Sequence, residues 1–503
     1  MTTVLTIVIV YFIAMFAIGY WANRRVKSSK DFLVAGQTLG FFVMAIASFS
    51  SIQSGFGMIG HTANTNDWGV QALVAAAILV PLAFALAWFL LGTRLYKIAQ
   101  KHDVHSIPDI IRIRYTSRSA HFAMSIAIFV GSVAYMTSQI TAMGVIMALI
   151  FDISLAAGAF IGAGVVAAYT IAGGMLAAIW TDLIQGLLMI AMSLIAFFVA
   201  INTVGGWSNM LDTIAGSDVS FLQIDGSQSM GWIFGFVYLA ILGGAAQPQL
   251  ATKFLMLRDA AELRWGALVA AVGYSVTVLF ALGIGLSVRA LTIEGRAPAF
   301  DDYDSTTTWF LDNMTSTTFA GFALAGLLAA IMSSASSFIT IGASSITRDL
   351  MGSLGKVLRR ELLWYRLASA FVVACSLLFA LYLTQVVFLL GAIGWAAFAS
   401  AIFAPVVLGI FWQRATGLAT TVAVTFGILG NLALTILTRE EIISVPDYMQ
   451  DGATIIAASV VLFVAVSLAY PSRRDRDRFF TSYEPVPATP ARAAEPVAAT
   501  ADH

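Results

Sequence analysis

The stretch Ser48-Phe49-Ser50-Ser51-Ile52-Gln53-Ser54-Gly55-Phe56-Gly57 lies in the middle of an apolar run covering about 39–62. Hydrocarbon offers no water to satisfy freed backbone groups, so unwound chain at that depth is tolerated only where it is buried in protein or lines a wet cavity. Serines, a glutamine and two glycines at mid-depth therefore predict a spanning helix broken at its centre. A second run, 229–252, carries Leu242-Gly243-Gly244-Ala245-Ala246-Gln247-Pro248-Gln249. Its proline breaks the helical hydrogen-bond ladder, although a simple kink is an equal reading of that residue alone.

Outward from these two stretches, runs long enough to span a bilayer recur at 3–22, 39–62, 69–93, 121–147, 154–174, 176–203, 229–252, 266–292, 317–343, 364–384, 386–411, 416–438 and 453–470. The broken runs are the second and seventh of these thirteen. Two successive five-helix units, about 39–203 and 229–411, would each open on a broken helix, as in the inverted repeats of secondary transporters. An odd number of helices per unit forces the two units into opposite orientations.

Composition agrees. The 503 residues are 59% apolar and 11% charged, with a mean hydropathy of +0.87, whereas soluble domains carry about 25% charge. A water-soluble enzyme and a nucleic-acid-binding chain are excluded. With the N-terminus outside, 24 of the 27 Lys and Arg fall in cytoplasmic segments and only Arg289, Arg296 and Arg439 outside, a positive-inside bias that supports both the count and the direction. The first run is an anchor rather than a cleaved signal, because Arg24, Arg25, Lys27 and Lys30 follow it and nothing basic precedes it. The chain reads as one polytopic domain over 1–470 in the inner (plasma) membrane, with a Pro/Ala-rich, disordered cytoplasmic tail over 471–503.

Polar groups inside the spans point to function. Asp182, in the sixth run, is the only acid well within a span, and no Lys or Arg is read deep in any span to pair with it. The ninth run holds Ala330-Ile331-Met332-Ser333-Ser334-Ala335-Ser336-Ser337. Ser333 and Ser337 share a helical face with Ser336 beside them, while Ser334 falls under the Ala330 carbonyl. These make two adjacent oxygen clusters that suit a hard monovalent cation, with close helix packing through small residues as the plainer alternative. Cys375 reads as a small buried hydrophobe, and His61 and His105 as isolated surface or interface histidines.

The stretch Lys30–Gly40, the broken second run, Tyr169–Gln185 with its Gly-Gly…Trp-Thr-Asp…Gln pattern, Gln247-Pro248 and Ser344–Leu350 together resemble the sodium:solute symporter family. That family includes sodium/proline, sodium/galactose, pantothenate and sialic acid symporters. The resemblance implies an all-α integral membrane protein with a LeuT-type five-plus-five core, importing a small solute with Na⁺ by alternating access. It implies a first Na⁺ site at the carbonyls of Ser50, Gln53 and Ala330 and the hydroxyls of Ser333 and Ser334. A second site, found in the sialic acid type, maps to Asp182, Ser333, Ser336 and Ser337, so one or two ions per cycle are implied.

A solute near the two breaks would meet Gln53, Ser54, Phe56, Gln139, Gln247 and Trp395. This lining has no deep cation for a multiply charged anion, so a monocarboxylate is expected first and an amino acid second. The arginine of the sialic acid type and the acidic sugar ligand of the galactose type have no counterpart. Ala240 and Gly243 stand where the proline type carries aromatics. Expected partners are the solute, Na⁺ and the lipid bilayer, with no nucleic acid and a monomeric functional unit. A channel or sensor on the same helices is the rival class; an enzyme lacks a histidine or paired carboxylate beside Asp182.

Overall fold

A computed structural model describes residues 2–35, 40–226, 228–257, 263–356, 358–382, 387–446 and 451–472. The tail from 473, residues 36–39 of the Lys30–Gly40 stretch and the Phe56 side chain lie outside the described set. No β-strand occurs among the described residues. In chain order the principal helices are α1 (Thr2–Arg25), α2 (Ser29–Val34), α3 (Phe41–Ile52), α4 (His61–Trp68), α5 (Ala76–Lys101), α6 (Ile107–Tyr115), α7 (Arg118–Phe151), α8 (Leu155–Thr203), α9 (Trp207–Asp218), α10 (Met230–Ala245), α11 (Pro248–Phe254), α12 (Leu263–Ile293), α13 (Thr306–Met314), α14 (Thr317–Ser344), α15 (Glu361–Tyr382), α16 (Val387–Ile402), α17 (Gly417–Arg439) and α18 (Asp451–Ala469).

Eleven described helices are long and apolar enough to cross a membrane, or twelve when the pair Phe41–Ile52 and Gly57–Ala72, bent by 67°, counts as one span. The 49 residues of α8 would extend about 74 Å if straight, more than twice the hydrocarbon thickness. At Gly174 its backbone leaves helical geometry (φ 56°, ψ −145°), where the sequence places a tight turn. A Cβ there would stand 2.5 Å from the Phe32 ring, so the turn needs glycine for its φ and for its space.

Two boundaries differ from the sequence reading. The second run does not end at 62: α4 continues to Trp68 with Thr62, Thr65 and Asn66 buried, and Asn66 Nδ2 donates to Thr306 Oγ1 at 3.1 Å. Polar residues that look like loop are here covered by the α13 region and α12, which pushes the next span to Ala76–Lys101.

α14 forms the axis. The Thr317–Ser353 stretch is 94% buried over its most apolar window, against 28% for Thr2–Arg25. Its small residues let α8, α7, α1 and α15 approach closely. At its C-terminal end, Ser106 Oγ donates to Asp349 Oδ1 (2.7 Å), and Arg348 Nε donates to Asp109 Oδ2 (3.2 Å). The segment beyond α14 is thereby pinned to the start of α6. Cys375 is only partly buried, because α15 lies at the rim of the bundle.

Candidate ion and solute site

Both spans are interrupted at a glutamine with the same extended backbone, and the first is bent there by 67°. α3 stops at Ile52, Gln53 is extended (φ −67°, ψ 123°), and the chain turns helical again at Gly55. α10 stops at Ala245, Gln247 takes φ −69°, ψ 123°, and Pro248 opens α11. Each break frees the carbonyls of the helix that ends and the N–H groups of the helix that starts.

The carbonyls freed at the first break meet the serines of α14. Ser333 Oγ donates to Ser50 O (2.7 Å) and to Ala330 O (3.0 Å). Ser334 Oγ donates to Ser51 O and Gln53 O, both at 3.1 Å. The residues inferred for the first Na⁺ site therefore converge, joined by the Ser51 carbonyl, which the sequence did not single out. All are buried and uncharged. The carbonyls of Ser50, Ser51 and Gln53 keep a lone pair beyond these bonds, whereas Ala330 O, inside α14, must release the Ser333 hydroxyl to take an ion. Neutral oxygens of this kind are the donor set that a hard monovalent cation accepts.

The second set is not joined in this way. Asp182 is fully buried, and its Oδ2 accepts from Lys253 Nζ at 3.1 Å. The same ammonium donates to Ser51 Oγ at 2.6 Å and to the Ala47 carbonyl. This corrects the reading that no Lys or Arg lies deep in a span. Lys253, 2% exposed, lies one residue past the 229–252 run. The signal was present: the apolar Phe254-Leu255-Met256-Leu257 follows it, all four buried, so the buried segment does not stop at 252. Ser336 Oγ turns back to Ser333 O (3.0 Å), while Asp182 Oδ1 and Ser337 Oγ have no hydrogen-bond partner among the described residues.

The proposed solute residues form two groups. At the first break Ser54 Oγ and Tyr135 OH lie 3.1 Å apart, and Gly55 N–H donates to Gln139 Oε1 (3.1 Å). Gln53 Nε2 turns to Met58 Sδ (2.8 Å), leaving its Oε1 without a partner among the described residues. At the second break Gln247 Nε2 donates to Gly243 O (3.0 Å) and Gln247 Oε1 accepts from Gln249 Nε2 (3.2 Å). Trp395 Nε1 donates to Leu239 O (3.3 Å), with its ring lying directly over Gly243.

Between the groups lies a cavity of about 30 Å³, lined by Gly57, His61, Ala240, Tyr274 and Trp395 among others. It is room for water-sized guests only. His61 and Tyr274 were not anticipated as liners. His61 and His105 are both buried, 4% and 5% exposed, rather than on the surface.

A model of the sodium:solute symporter family matches residues 32–430. The osmoregulated proline transporter OpuE of Bacillus subtilis is 28% identical over 411 residues, covering 80% of this chain and 83% of that one. The high-affinity proline transporter PutP of the same organism is 26% identical, covering 92% and 98%, and the sodium/proline symporter of Escherichia coli is 26% identical, covering 82% and 84%. Among solved structures, a substrate-bound, outward-open Na⁺-coupled sialic acid symporter shares the fold with a TM-score of 0.77 at 18% identity, over 93% of this chain and 98% of that one.

Proposed function

The chain belongs to the sodium:solute symporter family, and from that premise we propose how this member couples its ion to its solute. It is a multi-pass plasma membrane transporter that imports a small organic solute with Na⁺ as the coupling ion. The Na⁺ site of our reading is Ser50, Gln53 and Ala330 through their carbonyls, with Ser333 and Ser334 through their hydroxyls. The carrying observation is the bridging of the carbonyls freed at the first break by two adjacent serines of α14. An ion there draws α3 and α14 together, which gives Na⁺ a differential interaction with the closed arrangement. A second ion at Asp182, Ser333, Ser336 and Ser337 is favoured by two partnerless oxygens and opposed by the ammonium already on Asp182.

The solute of this reading carries one carboxylate. Gln53, Ser54, Phe56, Gln139, Gln247 and Trp395 remain its proposed liners. Its carboxylate takes the Gly55 N–H, which Gln139 Oε1 now occupies, as half-helix starts do in this type of carrier. Three relatives named as proline transporters move an amino acid ahead of the plain monocarboxylate that the sequence ranked first. Ala240 and Gly243 lack the aromatics of the proline type, but Trp395 from α16 supplies an aromatic face over Gly243. The wider architecture in this proposal is thirteen passes, inverted units over 39–203 and 229–411 within one domain over 1–470, an outer N-terminus, a cytoplasmic 471–503 tail and a monomeric unit.

The test is thermal stabilisation of the purified protein by a panel of amino acids and small monocarboxylates, with Na⁺ and with choline in its place. Stabilisation by a solute only with Na⁺ present, followed by Na⁺-driven uptake in proteoliposomes, is expected. A continuous conductance with no saturable uptake would instead support a channel.

A further inference from the structure

Lys253 is the feature that the sodium-site reading does not use. Its ammonium has three N–H donors and three acceptors: the Ala47 carbonyl, Ser51 Oγ at 2.6 Å and Asp182 Oδ2 at 3.1 Å. Every donor is matched, and both charged side chains are buried, 2% and 0% exposed. The pair is neutral, so Asp182 already holds a cation before any ion arrives from solution. A buried carboxylate without a counter-charge is costly, and a Na⁺ added to this one would lie beside a like charge with no water between to screen it.

We infer that Lys253 is a tethered cation standing in for the second Na⁺, so that one Na⁺ is bound and carried per solute. The inference rests on the reading of Ser50, Gln53, Ala330, Ser333 and Ser334 as the site of that one ion. Position supports it twice. The ammonium binds Ser51 Oγ, while the Ser51 carbonyl accepts from Ser334, so it abuts the first site without occupying it. Lys253 also belongs to α11, which follows the second break, and its acceptors belong to α3, which precedes the first, and to α8. The atoms left over are informative as well. Asp182 Oδ1 and Ser337 Oγ have no partner among the described residues; once the ammonium is removed, they and the vacated Oδ2 are three oxygens available to a mobile ion.

The experiment is Na⁺ titration of thermal stability and of uptake, with the ²²Na⁺-to-solute flux ratio measured in proteoliposomes. The expected wild-type result is a Hill coefficient of one and a ratio of one. In Lys253→Met, which keeps the stem and removes the charge, the Hill coefficient for Na⁺ binding should rise toward two. In the double variant Asp182→Asn/Lys253→Met, which removes both charges, it should return to one. A wild-type ratio of two overturns the proposal, as does a folded Lys253→Met protein that still binds Na⁺ with a coefficient of one. Should Lys253→Met fail to fold, the wild-type ratio decides alone. Ser334→Ala separates this from the underlying reading: unchanged Na⁺ affinity in that variant sinks the location of the first site, whatever Lys253 does.

Discussion

Ser334 shares its one hydroxyl proton between Ser51 O and Gln53 O, and its removal withdraws one neutral oxygen ligand from the cation. A polar contact to a charged group is worth about 1.5–3 kcal/mol, which corresponds to about a 10- to 150-fold weaker Na⁺ affinity. Ser334→Ala should raise the Na⁺ concentration for half-maximal uptake within that range. Ser334→Thr, which keeps the hydroxyl, should recover most of the loss. Gly243 tests the solute side. An alanine Cβ there would lie 2.0 Å from Trp395 Nε1, and overpacking of this kind costs about 1–3 kcal/mol. Gly243→Ala should weaken solute-dependent stabilisation by about tenfold or more, with stabilisation by Na⁺ alone retained. At this scale the oxygens were legible, because a hydroxyl cluster in hydrocarbon has few explanations. Lys253 was harder to read, because a formal charge near the end of an apolar run reads as the start of a loop; the apolar Phe254–Leu257 that follows hints at burial, and its partner Asp182 on α8 reveals it.

Breaks and turns carry the argument among the helices. The Gln-Pro of the seventh run admitted either a kink or a true break from sequence; the extended Gln247 settles it as a break, in the same backbone conformation as Gln53. The polar run His61–Asn66 was read as the end of a span because its cover comes from residues far along the chain, among them Thr306. Periodicity within one segment contains no trace of such a neighbour. The Gly173-Gly174 turn, by contrast, was legible, since glycine is the residue that tolerates this backbone. Gly174→Ala should destabilise the protein by more than the roughly 1–2 kcal/mol of a left-handed non-glycine residue, because Phe32 must also shift. A lowered melting temperature with an unchanged Na⁺ dependence of the remaining uptake is the expected outcome. A shifted Na⁺ dependence would mean that the turn is coupled to the ion site.

At the scale of the whole molecule the expected charge asymmetry sets a direction: with Lys253 buried beside Asp182, 23 rather than 24 Lys and Arg would remain for the cytoplasmic side. The direction it implies can be checked directly, since Cys375 is the only cysteine. In a Cys375→Ser background, a membrane-impermeant maleimide should label Asp301→Cys in intact cells and Lys356→Cys only after the cells are opened. The opposite pattern would invert the topology. Overall architecture was legible because bilayer thickness acts on every span alike, whereas the lining of the centre depends on contacts between distant spans. The neutral Asp182–Lys253 pair finally bears on how steeply such a carrier can concentrate its cargo. One elementary charge moving inward gains about 2.3 kcal/mol per 100 mV, which supports an inside-to-outside ratio near 40-fold for a neutral solute. Two would support about 2,000-fold. A carrier that brings its own fixed cation gives up that second factor. In exchange, it is filled by a single ion, and its rate falls less sharply when external sodium is scarce.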